Sequence, residues 1–78
     1  MLLVRYFAGA RAAAGIAEEK LEAASLAELI QLLREARPKL AGVLPACSFL
    51  VDGLAWHDRE RALPSAGTVD VLPPFAGG

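Results

Sequence analysis

The chain has 78 residues, a net charge of −1 from eight basic and nine acidic side chains, and one cysteine. That length supports one domain, at the small end of what folds without staples, and the charge balance gives no footprint for nucleic acid. Hydrophobic residues make up 55% of the chain, but many are alanine, so most of the larger apolar side chains must face inward. Little volume is left for a closed pocket of about 300 Å³, which argues against a self-sufficient enzyme. The first apolar run stops at Arg5, too short for the core of a signal peptide, and no stretch approaches the roughly 18 apolar residues of a membrane span. A lone cysteine cannot form an internal disulfide, which suits a reducing compartment. The expectation is a small soluble cytoplasmic protein, not bound to membranes.

Leu2 to Phe7 is apolar except at Arg5 and reads as a strand covered on both faces, hence central in a sheet. Gly9 to Gly15, rich in alanine and bracketed by glycines, reads as a loop or a single helical turn. Ala17 to Ala23 alternates weakly. Glu18, Lys20 and Glu22 fall on one side and Glu19, Leu21 and Ala23 on the other, as in a half-exposed edge strand.

Ser25-Leu26-Ala27-Glu28 has the form of a capping box, in which Ser25 accepts from the Glu28 amide and Glu28 reaches back to the amide of Ser25. Leu26, Leu29, Ile30 and Leu33 follow at i, i+3, i+4 and i+7, one apolar stripe of an amphipathic helix. Arg34 and Arg37 complement its carbonyl end, where dipole compensation and solvation account for them, and Pro38 stops it. Lys39 to Pro45 connects to a strand over Cys47 to Val51, with Leu40, Val43 or Leu44 available to tuck under the core. Asp52-Gly53 supplies the positive-φ pair of a tight hairpin, and Leu54 to Trp56 is the returning strand. His57 to Pro64 is charged and turn-like, with Leu63 as an isolated apolar anchor. Thr68 to Leu72 is the last strand, stopped by Pro73-Pro74.

One helix with one stripe covers one face of one sheet, which gives a two-layer α+β domain. A hairpin, a crossover helix and a terminal strand laid beside the first make a β-grasp. It has a mixed sheet of about five strands, with one main helix on one face and strands one and five parallel in the middle. Residues 1–74 form this domain and residues 75–78 a projecting tail.

That tail is where chemistry can reside. Pro73 and Pro74 cannot donate to a ladder and set an extended, polyproline-like direction. The four residues beyond them reach at most about 13–14 Å. Gly77 and Gly78 lack Cβ atoms and can enter a channel closed to other residues, presenting a free carboxylate to another protein's active site. Phe75 reads as an aromatic anchor for a partner's groove. Cys47 reads as a small core residue and His57 as a surface turn, with no metal ligand set; Trp56 could be interfacial or core.

The helix, the Asp52-Gly53 turn, Tyr6-Phe7-Ala8 and the ending Leu72-Pro73-Pro74-Phe75-Ala76-Gly77-Gly78 resemble the ubiquitin-like sulfur carriers of the MoaD/ThiS family. The resemblance is nearest to its molybdopterin synthase small-subunit branch, although the last strand opens Ala66-Gly67-Thr68-Val69 where that family often has Gly-Asp-Glu-Val. It implies that Gly78 is adenylated by an E1-like adenylyltransferase using ATP and converted to a thiocarboxylate with a sulfurtransferase. Gly77 would be its channel-compatible neighbour, and Pro73, Pro74, Phe75 and Ala76 would contact the partner. The tail would then donate sulfur to a pterin precursor of molybdenum cofactor inside the large catalytic subunit, in a two-plus-two assembly. The chain itself would bind no cofactor and catalyse nothing. Two other classes share the tail: a carrier for thiazole, cysteine or another sulfur pathway, and a protein modifier or non-catalytic interaction domain.

Overall fold

A computed structural model describes residues 1–74. The elements in chain order are β1 (Leu2–Tyr6), α1 (Ala8–Ala14), β2 (Glu18–Leu21), α2 (Leu26–Ala36), two 3-10 turns (Pro38–Gly42 and Leu44–Ala46), β3 (Ser48–Val51), β4 (Leu54–Ala55) and β5 (Gly67–Leu72). The strands form one sheet in the order β2-β1-β5-β3-β4, with β1 and β5 parallel and the other pairs antiparallel. The β-grasp expectation holds, including the central parallel pair and the half-exposed edge strand β2.

Alternation decides which face each strand buries. Leu2, Val4 and Tyr6 of β1, Val69 and Val71 of β5, and Phe49 and Val51 of β3 are all buried and meet the stripe Leu26, Leu29, Ile30 and Leu33 of α2. Leu40 and Leu44, from the two 3-10 turns, and Leu63, from the strap before β5, close the sides of this core. The strap also covers the start of α2. The Arg59 carbonyl accepts from the Ala27 amide at 3.0 Å, and Leu63 N–H donates to the Ala24 carbonyl at 2.8 Å.

Four local expectations need correction. The segment after β1 is a two-turn helix, α1, not a loop or single turn. Alanine is the best helix former, and Ala10 and Ala14, four apart, bury one face. The capping box is closed differently: Ser25 Oγ accepts from the Glu28 amide at 3.2 Å, but Glu28 Oε1 accepts from the amide of Ala24, not that of Ser25. Arg37 is more than a solvated cation at a helix end. It forks onto Glu19 at 2.6 and 3.1 Å and donates to the Ala14 carbonyl at 2.8 Å, and Tyr6 donates to the same carboxylate at 2.5 Å. β1, α1, β2 and the end of α2 are thereby tied at one point. Finally, β4 stops at Ala55, leaving Trp56 half-buried against the core with Arg61 stacked 4.3 Å from its ring.

The hairpin turn forms as expected, with Asp52 at φ 49° and Gly53 at φ 82°. Asp52 has a second task. Its Oδ1 accepts from the Thr68 amide at 2.9 Å, and its own amide donates to the Thr68 carbonyl at 2.8 Å, pinning the hairpin tip to the entry of β5. A Cβ on Gly67 would lie 2.8 Å from that carboxylate, so a larger residue there would push the Asp52 side chain off the Thr68 amide.

Candidate functional site

Because β1 and β5 are parallel, their C-terminal ends lie together, and the tail leaves from that end of the sheet. The register sets Tyr6 beside Val71 and Ser48 beside Leu72, and the Phe7 amide extends the ladder to the Val71 carbonyl at 3.3 Å. β5 ends at Leu72, as the prolines require, with Pro73 half-buried and Pro74 exposed. Phe75, Ala76, Gly77 and Gly78, on which the anchor, channel and activation assignments fall, lie outside the described residues.

Around the root of the tail the outer face of the sheet, the face opposite α2, is open. Arg5 and Asp70 are register partners on β1 and β5, and their side chains meet there. Arg5 Nε and Nη2 donate to the two Asp70 oxygens at 2.6 and 2.9 Å. The Asp70 side chain is 10% exposed and that of Arg5 44%. The hydrogen bond and charge of Asp70 raise the Arg5 pKa further above its ordinary value. The guanidinium also lies 5.7 Å from the centre of the exposed Phe7 ring. Half-buried Leu3, Leu50 and Leu72 complete the face, and a groove lined by Arg5, Phe7, Ala8, Arg11 and Glu18 runs beside it. The sequence reading passed over this pair. The available signal was that each is the lone charge in an otherwise apolar central strand.

The other singled-out side chains have structural roles or none visible. Cys47 is buried, its thiol donates to the Val43 carbonyl at 3.2 Å, and burial pushes its pKa up, which disfavours the reactive thiolate. His57 is exposed, and among the described residues no group of three or more His, Cys, Asp or Glu side chains is placed to hold a metal ion. Among the same residues no helix is long and apolar enough to cross a membrane.

Comparison with known proteins then decides the family, since the ThiS family profile matches residues 4–78, nearly the whole chain including the terminal diglycine. The chain belongs to the ThiS family. No curated protein sequence matches it, but solved structures do. A protein from Pyrococcus furiosus described as molybdopterin converting factor, subunit 1, superposes with a TM-score of 0.84 at 25% identity, over 95% of this chain and 97% of that one. The complex of subunits 1 and 2 of molybdopterin-converting factor from Helicobacter pylori contains a match with TM-score 0.77 and 23% identity, covering 99% and 97%. The small archaeal modifier protein 1 of Methanosarcina acetivorans matches with TM-score 0.85 and 23% identity, covering 99% and 95%. This ThiS-family chain therefore has the fold of ubiquitin-like carriers along its full described length.

Proposed function

We propose that this ThiS-family chain carries sulfur as a thiocarboxylate on Gly78 and serves as the small subunit of a molybdopterin synthase. The observation that carries the reading is the family match running through to Gly78, on a fold whose last strand ends at Leu72 and releases the chain beside an open, partly apolar sheet end. A carboxylate is a poor electrophile. An E1-like adenylyltransferase would activate it with ATP, releasing pyrophosphate and leaving an acyl-adenylate that a sulfurtransferase's persulfide can attack, with AMP as the leaving group. A thiol would then cleave the S–S bond of the acyl disulfide, forming a new disulfide and freeing the thiocarboxylate. The carrier supplies the acyl group and its aim, and the large subunit supplies the pterin site and sets the product. The Helicobacter pylori complex of subunits 1 and 2 supports a large-subunit partner of that kind; a two-plus-two assembly with it is part of the proposal. In this role the chain works in the cytoplasm, binds no cofactor and catalyses nothing alone.

Intact-mass analysis of the chain from its native host tests this. The expected result is a population in which one oxygen is replaced by sulfur, absent when Gly78 is deleted although the truncated chain melts as before. Unmodified mass throughout, or sulfur transfer by the truncated chain, overturns it. The match to a small archaeal modifier protein favours a second reading, in which Gly78 is joined to lysines of other proteins. Isopeptide remnants on host proteins, without the sulfur-bearing mass, would select that reading.

A further inference from the structure

The four residues beyond Pro74 reach at most about 13–14 Å, so any enzyme that closes an active site on Gly78 must lay its body over the sheet end from which they leave. What that body meets is a surface of mixed character. Leu3, Leu50 and Leu72 are half-buried and Phe7 is exposed, while a guanidinium sits in their midst. Arg5 is held in place before any partner arrives, by its fork onto Asp70 and by the ring of Phe7. The fork uses Nε and Nη2, leaving Nη1 without an acceptor among the described residues. Glu18, its register partner on β2, forms no hydrogen bond to it, and Arg11 borders the same groove.

A partner that covers this face strips water from those donors. Left unmet they are costly, whereas a charged acceptor gains from the dry surroundings and from a donor already in position. The Asp70 side chain is only 10% exposed against 44% for Arg5, so a partner meets the guanidinium rather than the carboxylate that holds it. Arginine is one of the residues enriched, with Trp and Tyr, among the desolvated anchors of protein interfaces.

We infer that Arg5, locked by Asp70, is the side chain by which the tail-receiving enzyme selects this carrier, and that the enzyme meets it with a carboxylate set among apolar side chains. The inference rests on the proposed function, because it takes its occupant from the destination of the tail.

The test is the dissociation constant between the full chain and the purified subunit 2 homologue of molybdopterin-converting factor from the same host, measured across a range of salt. Arg5→Leu combined with Asp70→Leu removes the pair without stranding either charge, so the fold is kept. The expected result is binding at least about tenfold weaker than wild type, the scale of one well-buried charged contact, with most of the salt dependence gone. Arg5→Lys, which keeps the charge but loses the fork, falls between. Equal affinity of the wild type and the double variant, or wild-type binding indifferent to salt, overturns the inference and leaves the proposed function standing. A wild-type chain that shows the sulfur-bearing mass yet does not bind this subunit also overturns it. No binding and no sulfur-bearing mass removes both.

Discussion

Among the described residues are two forked arginine–carboxylate pairs of similar geometry, on opposite faces of the sheet. Arg37–Glu19 sits on the helix side, where it joins the end of α2 to β2, takes in the Ala14 carbonyl at the end of α1, and receives the hydroxyl of Tyr6 from β1. Arg5–Asp70 sits on the open side and joins two strands that the backbone ladder already holds together. The first ties the ends of α1 and α2 to the sheet, which no backbone ladder does, whereas the second adds little that the sheet lacks. The same chemistry thus stabilises the fold on one face and is free to present a charge on the other.

Substitutions on each face sharpen that contrast. The deepest damage is expected where α2 meets the sheet. Leu29→Ala empties a fully buried site and should lower stability by about 2–5 kcal/mol in a urea titration, with an unchanged midpoint counting against the assigned helix face. Arg37→Ala comes next, at about 1–3 kcal/mol, because it leaves Glu19 and the Ala14 carbonyl short of donors.

The same pair gives the protein an acid limb. Hydrogen bonding from Arg37 holds the Glu19 carboxyl below its ordinary pKa, with Tyr6 adding to the effect against the opposing cost of burial. A carboxylate depressed in the folded state contributes fully above its unfolded value of about 4.3 and loses that contribution as the pH falls through the folded value. Melting temperature should fall over that window, and Glu19→Gln should flatten the fall. On the open face, Arg5→Leu with Asp70→Leu should leave the melting temperature unchanged; a large drop would show that the two pairs do the same work. A small gain is expected beside the root of the tail, where Ala8 begins α1 at φ 48°, in the left-handed region that disfavours a Cβ. Ala8→Gly should raise stability by up to about 1 kcal/mol, visible as a modest rise in melting temperature.

The features legible in the sequence were those with a period or a fixed chemistry. The spacing of Leu26, Leu29, Ile30 and Leu33 placed α2, Asp52-Gly53 placed the hairpin, and the apolar runs marked β1 and β5 as central. The helix α1 escaped because alanine is apolar on every side, so Ala10 and Ala14 leave no stripe to read. The two ion pairs escaped for another reason. Arg5 with Asp70 and Glu19 with Arg37 are separated by many residues, and only the strand register and the docking of α2 bring them together. The Glu28 bond to Ala24, one residue from the expected target, depended on the angle at which the chain enters the helix.

The strand that occupies the middle of the sheet, β5, is also the last element made. A polypeptide interrupted before Gly67 leaves β1 and β3 without their shared neighbour and the hairpin tip without its clasp on Thr68. The domain therefore closes only once the chain has been made through β5, the strand that leads to the diglycine.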